Sequence, residues 1–231
     1  MKPLALHVYV ITESVPKFKR THEDVASAAL AGGADLIQFR DKRMADEEFE
    51  IVATRLLQMC RAKNVPLIVN DRLEIAARIG ADGVHVGQED IVPNPTHIAN
   101  LRTMWAVSGF DPIVGVSARN YQEAFALADS GADYLGVGPI FTTGSKSDAS
   151  EPIGVSELHR ICAAVNIPIV AIGGITSSNL RRIIESGAAG AAVISAVTHQ
   201  YDMKSATEVL QHWWKSDSAA LPKTWMKGPP E

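Results

Sequence analysis

The stretch Gly131-Ala-Asp-Tyr-Leu-Gly-Val-Gly-Pro-Ile-Phe-Thr-Thr-Gly-Ser-Lys146 contains one copy of the pattern that decides the fold. A Gly-Ala-Asp triplet leads into a short apolar run at 134–137, which ends in small residues, hydroxyls and a lysine. Such a triplet is typical of a turn from a helix into a buried strand, because glycine tolerates the left-handed backbone that ends a helix. Gly136 and Gly138 permit close approach of another segment, and Pro139 ends the strand because it lacks an N–H group. The stretch therefore predicts a helix end, a buried strand and a polar loop.

Related junctions recur along the chain at intervals of about 50 residues, or two βα units of roughly 20–25 residues. They are Gly33-Ala-Asp35, Gly80-Ala-Asp82 and a shortened form, Gly187-Ala188. Between them, strand-like and helix-like patterns alternate from end to end. The predicted strands are 7–11, 36–39, 66–69, 83–86, 113–116, 134–137, 168–172 and 191–195. The predicted helices are 21–31, 46–63, 73–79, a segment within 95–105, 121–130, 156–165, 178–186 and 206–214.

Strict alternation with short junctions favours a parallel sheet. Eight such units in 231 residues favour a closed (β/α)8 TIM barrel. The alternative is an open Rossmann-type sheet, which is disfavoured because no Gly-x-Gly-x-x-Gly opens a helix after the first strand. We expect an α/β fold with a single barrel domain at 1–215 and an irregular C-terminal extension at 216–231, where periodicity is lost and proline and glycine accumulate.

Composition narrows the classes of function. The net charge of −4 argues against a general nucleic-acid or anionic-membrane surface, and no apolar run approaches the roughly 18 residues of a membrane-spanning helix. Cys60 and Cys162 lie in helical patterns and suggest no disulfide framework. We therefore expect a cytoplasmic protein with small-molecule substrates and no nucleic-acid or membrane partner, and a homodimer is left open.

Polar side chains collect where the predicted strands end, which is the edge that carries the active site in this fold. Taken in chain order, they are Gln38, Arg40, Lys42, Asn70, Asp71, His85, Asp90, Ser117, Thr143, Ser145, Lys146, Gly173-Gly174 and Ile194-Ser195.

The types of these residues predict an anionic ligand and a metal. We call the end of the barrel at which the strands terminate the mouth. Three cations around it, Arg40, Lys42 and Lys146, indicate an anionic ligand in a protein of net negative charge. Asp71 and Asp90 are the hard carboxylates that Mg²⁺ prefers beside phosphate oxygens. The residues that follow strands seven and eight lie where this fold often binds phosphate through backbone N–H groups. The mouth is predicted to hold two phosphate-type groups, one of them bridged by metal.

Structural interpretations compete with these assignments. Asp71 is about as well placed to cap a helix as to bind a metal. Arg40 and Asp90 could pair across the rim, which stabilises a protein little. Gly173-Gly174 could be a plain turn at a strand exit. His85 lies within an apolar strand, and we favour a hydrogen-bonded core histidine over a catalytic base.

Several short motifs carry a family resemblance when they are taken together. They are Gln-x-Arg-x-Lys at 38–42, Asn-Asp-Arg at 70–72, Gly-x-His-x-Gly-Gln-Glu-Asp at 83–90, Gly-Val-Ser at 115–117, Gly-Pro-Ile-Phe at 138–141, Thr-x-Ser-Lys at 143–146, Ala-Ile-Gly-Gly-Ile at 171–175 and Ile-Ser-Ala at 194–196. From about residue 9 to residue 196 the chain resembles the thiamine-phosphate synthase (thiamine phosphate pyrophosphorylase) family of TIM barrels. The resemblance implies a transferase of thiamine biosynthesis that joins hydroxymethylpyrimidine diphosphate (HMP-PP) to thiazole phosphate and releases pyrophosphate, by a Mg²⁺-assisted dissociative substitution at the pyrimidine methylene.

The resemblance also implies roles for individual residues. Those expected to contact the pyrimidine diphosphate are Gln38, Phe39, Arg40, Asp41, Lys42, Asn70, Ser117 and Lys146, and the catalytic ones among them are Arg40, Lys42, Ser117 and Lys146. Asp71 and Asp90 are expected to bind Mg²⁺. The thiazole phosphate is expected to contact Thr143, Gly144, Ser145, Gly174, Ile194 and Ser195. One departure is Arg119, which stands where the family often has histidine.

Three other functions compete with the synthase. One is another phosphate-binding barrel enzyme, which would share Gly173-Gly174 but not Asn70-Asp71 with Asp90. A thiazole tautomerase, a related barrel, binds the same phosphate but needs no diphosphate-and-metal side. A non-catalytic sensor of thiamine precursors on a decayed barrel would be expected to lose the Mg²⁺ carboxylates first. Because both carboxylates are present with the cations, we favour the synthase.

Overall fold

The fold is a closed ring of parallel strands. A computed structural model describes residues 4–87, 95–106, 111–144 and 151–218. The strands of the described residues are β1 (Val8–Thr12), β2 (Leu36–Phe39), β3 (Leu67–Asn70), β4 (Gly83–Val86), β5 (Ile113–Ala118), β6 (Tyr134–Val137), β7 (Ile169–Ile172) and β8 (Gly190–Val193). Each strand pairs in parallel with the next, and β1 pairs with β8. This closure confirms the (β/α)8 barrel and excludes the open Rossmann-type sheet.

Helices connect the strands in the predicted order. They are α1 (His22–Ala31), α2 (Asp46–Arg61), α3 (Leu73–Ile79), α4 (Pro95–Ala106), α5 (Tyr121–Leu127), α6 (Gly154–Ala164), α7 (Leu180–Glu185), α8 (Ser195–Thr198) and α9 (Met203–Ser218). A short 3-10 turn, Pro16–Phe18, follows β1. At α1 the predicted start is confirmed by a capping box, in which the Thr21 and Asp24 side chains each accept from the other's backbone N–H.

Two strand boundaries that matter for the site differ from prediction. The prediction of strand 191–195 was wrong at its end, because β8 stops at Val193 and Ser195 begins the short helix α8. Conversely, β5 continues to Ala118, so Ser117 belongs to a strand and its side-chain direction follows the alternation of that strand. The apolar run 191–195 concealed the helix because a four-residue helix has too few residues to show a period.

The alternation of each strand divides the core into two layers. Inside the barrel, the buried cluster consists of Leu6, Tyr9, Ile11, Leu36, Ile68, Tyr134, Val170 and Ala192. The larger cluster between barrel and helices includes Phe39 of β2, whose ring stacks on Phe49 of α2 with centroids 4.1 Å apart. Neighbouring residues Gln38 and Phe39 therefore serve different layers, with Gln38 on the inner side alongside Leu36.

The Gly-Ala-Asp junctions close the amino-terminal end of the barrel. Gly33, Gly80, Gly131 and Gly187 all adopt positive φ, between 68° and 87°. The aspartate that follows three of these glycines accepts a hydrogen bond from a backbone N–H at the start of the preceding strand. The pairs are Asp35 with Val8 N (3.0 Å), Asp82 with Leu67 N (2.8 Å) and Asp133 with Val114 N (2.7 Å). Each aspartate thus ties two adjacent strands together at the end opposite the predicted site.

The last helix covers the outside of the ring. Helix α9 packs against α1 and α7 and ends at Ser218, beyond the predicted end of the barrel domain at 215. Residues 219–231, which form most of the predicted irregular extension, lie outside the described residues, and the domain boundary stays a prediction. In the part of the chain that the structure describes, no helix is both long and apolar enough to span a membrane.

Candidate active site

Polar side chains face inward at the carboxyl ends of four consecutive strands, β2 to β5. Gln38, Asn70, His85 and Ser117 occupy these positions, and Asn70 and His85 are register partners in adjacent strands. Gln38 is only 2% exposed, whereas Asn70, His85 and Ser117 are half-buried. The structure therefore brings together three residues predicted to bind the pyrimidine diphosphate and adds His85, which had been predicted as a core histidine.

A continuous hydrogen-bond chain crosses the barrel between two of these predicted contacts. Gln38 Nε2 donates to Tyr9 Oη (2.6 Å), and the Tyr9 and Tyr134 hydroxyls lie 2.9 Å apart. Tyr134 Oη lies 3.1 Å from His85 Nδ1, and His85 Nε2 lies 2.9 Å from Ser117 Oγ. Sequence reasoning missed the two tyrosines, although each stands at an inward-facing position of a short apolar strand, where a hydroxyl needs a partner. The hydrogen bonds expected of His85 are confirmed, but its ring is half-buried at the mouth and not part of the core.

Two glycines make room for the rings of this chain. A Cβ atom at Gly115 would lie 2.1 Å from Tyr134 Cζ, and one at Gly136 would lie 2.9 Å from His85 Cε1. Real Cβ atoms do not approach ring atoms this closely, so a larger residue at either position would displace a ring. The close approach expected at Gly136 is confirmed, and its partner is His85.

Asp71 lies at the mouth directly after β3. It adopts φ = 62°, an uncommon backbone conformation that aspartate tolerates better than most residues. Its carboxylate accepts a hydrogen bond from Asn70 Nδ2 (2.5 Å), and its N–H donates to His85 O (2.9 Å). The N-cap position of α3 is Arg72, without a side-chain capping bond, so the structure does not support a capping role for Asp71. An open cavity of about 410 Å³ adjoins Asp71, Arg72 and the first turn of α3.

Arg72 joins the β3 loop to the β2 loop. Its guanidinium donates to the backbone oxygen of Met44 (2.5 Å), forms an ion pair with Asp46 and lies over the Phe49 ring, 4.3 Å from the centroid. The arginine of the Asn-Asp-Arg motif therefore fixes the loop that carries Arg40 and Lys42. Of those two cations, Arg40 is half-buried and Lys42 is exposed.

Two residues predicted to contact the pyrimidine diphosphate are engaged elsewhere. Phe39 is fully buried in the outer layer, so its side chain does not reach the mouth. Asp41 Oδ1 accepts from Arg43 N (2.8 Å) and Met44 N (2.9 Å), and its Oδ2 lies 3.3 Å from His22 Nε2. Burial acts to raise the pKa of Asp41, but these hydrogen bonds outweigh it and hold the pKa below its ordinary value. In this structure the Asp41 carboxylate organises the β2 loop.

The loops after β6 and β7 pack directly on each other. Gly173 and Gly174 have φ of 100° and 64°, and Phe141 N donates to Gly173 O (3.0 Å). A Cβ on Gly174 would lie 2.5 Å from Thr142 O, so only glycine fits there without a shift. Asn179, which sequence reasoning missed, donates to Gly174 O from Nδ2 (2.9 Å). The interpretation of Gly173-Gly174 as a plain turn does not account for this clamped arrangement.

The residues after β8 follow the strand next to β7 and complete the predicted thiazole-phosphate side. Ile194 is the N-cap of α8, and Ser195 is its first residue, so both lie at the start of a short helix. Loops after strands seven and eight together with the amino terminus of a short extra helix form a common phosphate site in this fold. Of the remaining predicted thiazole-side residues, Thr143 is half-buried and Gly144 exposed in the β6 loop.

Three predicted site residues, Asp90, Ser145 and Lys146, lie outside the described residues. The alternative pairing of Arg40 with Asp90 is therefore also outside them. Among residues 4–87, 95–106, 111–144 and 151–218, no group of three or more His, Cys, Asp or Glu side chains is arranged to hold a metal ion. Asp71 at the mouth is a hard oxygen donor, which fits Mg²⁺ as one of the few protein ligands that this ion takes beside phosphate and water.

The structure is a single-domain (β/α)8 barrel with an inward polar cluster on β2 to β5 and with the short helix α8 directly after β8. Residues 8–197 match the family described as thiamine monophosphate synthase. The chain belongs to this family of transferases of thiamine biosynthesis, which confirms the resemblance.

Individual relatives agree with the family match. The chain is 46% identical over 209 residues to a thiamine-phosphate synthase of Geobacillus kaustophilus, covering 89% of this chain and 90% of the relative. It is 43% identical over 204 residues to that of Chloroflexus aurantiacus, covering 88% and 90%. Among solved structures it is similar to the thiamine phosphate pyrophosphorylase of Pyrococcus furiosus, with a TM-score of 0.79, 33% identity and coverage of 93% of this chain and 98% of that one.

Proposed function

We propose that this chain transfers the hydroxymethylpyrimidine group of HMP-PP to thiazole phosphate, forming thiamine phosphate and releasing pyrophosphate. The observation that supports the proposal is that two sets of predicted ligand contacts lie at one end of the barrel. Gln38, Asn70 and Ser117 face inward near Asp71, and the Gly174 loop follows β7, which pairs with the strand that leads into α8. A tautomerase needs only the second of these sets.

The pyrimidine diphosphate is proposed to lie over β2 to β5. Gln38, Asn70 and Ser117 supply amide and hydroxyl groups, and Arg40 and Lys42 with Lys146 supply positive charge for the diphosphate. Phe39 and Asp41 are proposed to act only through the backbone of the β2 loop, because the Phe39 ring is buried in the outer layer and the Asp41 carboxylate is hydrogen-bonded within the loop.

Asp71 and Asp90 are proposed to hold Mg²⁺ together with oxygens of the diphosphate. When bound, Mg²⁺ would neutralise negative charge on the leaving group. The hydrogen bond from Asn70 Nδ2 orients the Asp71 carboxylate, which restricts its motion at the mouth.

The thiazole phosphate is proposed to bind after β6, β7 and β8, at Thr143, Gly144, Ser145, Gly174, Ile194 and Ser195. Backbone N–H groups at the start of α8 favour an anion there. Clamping of Gly174 by Asn179 holds that loop in place before the ligand arrives.

The reaction needs charge stabilisation and positioning more than a base. Departure of pyrophosphate leaves a cationic methylene on the aminopyrimidine, and Arg40, Lys42 and Lys146 stabilise the charge of the departing group. The thiazole nitrogen then attacks the methylene once its phosphate is held at the opposite loops. A thiol nucleophile has no place in this scheme, since burial raises the pKa of Cys60 and of Cys162 to about 12.

The test measures pyrophosphate release and thiamine phosphate formation from the two phosphorylated precursors, with Mg²⁺ or with EDTA. We expect coupling that requires Mg²⁺ and is lost in Asp71→Ala but kept in Asp129→Ala, which removes an exposed carboxylate after α5. Isomerised thiazole phosphate without coupling would indicate a tautomerase, and binding of both precursors without turnover would indicate a sensor; either result overturns the proposal.

A cytoplasmic location and a homodimer stay predictions. The free thiols Cys60 and Cys162 favour a reducing compartment.

A further inference from the structure

The hydrogen-bond chain from Gln38 to Ser117 has a direction, which follows from counting hydrogens. Burial raises the pKa of Tyr9 and of Tyr134, so both hydroxyls stay protonated and each has one hydrogen to donate. The chain starts with an amide N–H of Gln38 that donates to Tyr9 Oη. Tyr9 therefore accepts at this link, and its single hydrogen is available for the next partner, Tyr134.

Each remaining member of the hydrogen-bond chain also has one hydrogen to donate, so the donor-to-acceptor direction continues to the mouth. Either hydroxyl of the Tyr9–Tyr134 pair can donate, but among the described contacts only donation from Tyr9 gives both buried hydrogens an acceptor, because Tyr134 then has its own hydrogen for His85 Nδ1, 3.1 Å away. A neutral imidazole that accepts at Nδ1 carries its hydrogen on Nε2. In that tautomer, His85 Nε2–H donates to Ser117 Oγ across 2.9 Å. Ser117 accepts at this link, which directs its own hydrogen away from His85.

Ser117 is the only member of this chain that combines an end position with a half-buried place at the mouth. Gln38, Tyr9 and Tyr134 are at most 2% exposed, and His85 has hydrogen-bond partners on both ring nitrogens. The hydrogen of Ser117 is thus presented where a ligand over β2 to β5 would meet it.

We propose that Gln38, Tyr9, Tyr134 and His85 set the hydrogen-bond polarity of Ser117, so that its hydroxyl donates to an acceptor atom of the bound pyrimidine diphosphate. Tyr9, Tyr134 and His85 are positioning residues in this arrangement, and Ser117 is the group that contacts the ligand. The identity of the ligand rests on the proposed function, but the polarity of the chain is a property of the protein without ligand.

The packing around the chain supports a fixed arrangement. The His85 and Tyr134 rings are stacked with centroids 5.6 Å apart, and the Tyr9 and Tyr134 rings meet edge to face at 5.9 Å. Gly115 and Gly136 leave only the room that the Tyr134 and His85 rings occupy. Rings held in this way keep the hydroxyls and the imidazole within hydrogen-bond distance. The donor and acceptor roles fixed at Gln38 therefore determine those at Ser117.

The first arm of the test reads the tautomer of His85 by ¹⁵N NMR on the ligand-free protein with labelled histidine. His85→Gln identifies the His85 signals by their loss. We expect the wild-type signals of a neutral imidazole protonated at Nε2. A wild-type imidazole protonated at Nδ1, or at both nitrogens at neutral pH, would overturn the proposal, because Ser117 would then not be forced to donate to a ligand.

The second arm of the test interrupts the hydrogen-bond chain at residues that do not reach the mouth. Tyr9→Phe removes a hydroxyl that is buried inside the barrel, and we expect His85 to become a mixture of the two neutral tautomers. Tyr134→Phe is a second interruption with the same expectation. Tyr121→Phe, which alters a half-buried tyrosine of α5 outside the chain, is the matched control and should leave the wild-type signals unchanged. Unchanged His85 signals in both chain variants would overturn the proposal.

The third arm measures coupling kinetics of Tyr9→Phe. We expect kcat to fall roughly five- to tenfold, the effect of weakening one hydrogen bond to the transition state, with the KM for thiazole phosphate unchanged. A kcat equal to that of Tyr121→Phe would contradict the link to the ligand. If the wild-type protein showed no coupling at all, the proposed function would fail, and the NMR arms would still decide the polarity.

Discussion

At the scale of single residues, the buried histidine His22 shows how the mouth is held in shape. Its Nδ1 lies 2.9 Å from Thr12 Oγ1 on β1, and its Nε2 lies 3.3 Å from Asp41 Oδ2 in the β2 loop. His22 is only 3% exposed and links the end of β1 to the β2 loop from a buried position. Asp41 therefore matters to the site through the loop that it shapes.

His22 makes stability depend on pH in a predictable direction. Burial lowers the pKa of His22 by more than the neighbouring Asp41 raises it, so the folded value lies below the ordinary 6.5. As the pH falls from 6.5 towards that folded value, the unfolded chain binds a proton that the folded chain does not, and stability is lost. Each unit of difference corresponds to about 1.4 kcal/mol.

We expect His22→Gln to lose less stability than the wild type between pH 7 and pH 5, as measured by urea denaturation. His212→Gln removes an exposed histidine on α9 and should keep the wild-type pH dependence. Parallel pH curves for the wild type and His22→Gln would contradict the assignment.

Asn179 is the second residue whose role is local and testable. Its Oδ1 accepts from Thr176 N (2.8 Å) while its Nδ2 donates to Gly174 O, so one side chain ties a turn to the proposed phosphate loop. In Asn179→Ala we expect the KM for thiazole phosphate to rise about fivefold, the equivalent of one hydrogen bond of about 1 kcal/mol. The KM for HMP-PP should stay at the wild-type value, as should both constants in Asn100→Ala, an exposed control on α4. An equal rise in both KM values would show a general loss of structure instead.

At the scale of elements, the Gly-Ala-Asp junctions combine two functions in three residues. The glycine turns the chain at the end of a helix, and the aspartate accepts an N–H from the start of the neighbouring strand. The first N–H of a parallel strand at the barrel end lacks a ladder partner on one side, so a carboxylate there satisfies a group that would otherwise be unpaired.

We expect Asp82→Ala to lower the free energy of unfolding by about 1–3 kcal/mol, because Leu67 N loses its acceptor in a partly buried place. Asp82→Asn retains a carbonyl oxygen and should recover most of this loss. Chemical denaturation of these variants beside Asp129→Ala, which removes an exposed carboxylate, makes the comparison. A loss in Asp82→Asn as large as in Asp82→Ala would assign the effect to charge.

At the scale of the whole molecule, α9 completes the outer ring of helices. It packs on α1 and α7, and Gln211 donates to Gly33 O (2.5 Å) at the junction before β2. Trp214 is 3% exposed and stacks on His7 next to β1, with centroids 5.5 Å apart. The last helix thus covers the place where the first and last strands of the barrel meet.

Adjacent tryptophans of α9 provide a matched pair to test this closure. Trp214→Ala removes a large buried ring and should cost about 3–5 kcal/mol of unfolding free energy. Trp213 is 41% exposed, and Trp213→Ala should change stability by no more than about 0.5 kcal/mol. Thermal and urea unfolding of both variants measure the difference, and similar losses in the two would mean that α9 is not held through its Trp214 face.

Much of the fold follows from local signals. Each Gly-Ala-Asp junction and each short apolar run marks its element within a few residues, and strict alternation leaves a parallel sheet as the natural arrangement. The polar residues at the strand ends, among them Gln38, Asn70 and Ser117, could be placed at one mouth because all parallel strands of a barrel point the same way.

What the sequence by itself determined about this protein is the barrel, the family and the end of the barrel at which the polar residues of the proposed site collect. The tertiary structure decided which neighbour each side chain meets: Phe39 in the outer layer, Asp41 on loop N–H groups, Asn179 on Gly174, and Tyr9 and Tyr134 between Gln38 and Ser117. The physical reason is that periodicity assigns a side chain to a face, whereas a hydrogen bond depends on the distance between atoms of strands that are far apart in sequence. Tyr9 and Tyr134 are separated by 125 positions, and only closure of the ring brings their hydroxyls within 2.9 Å.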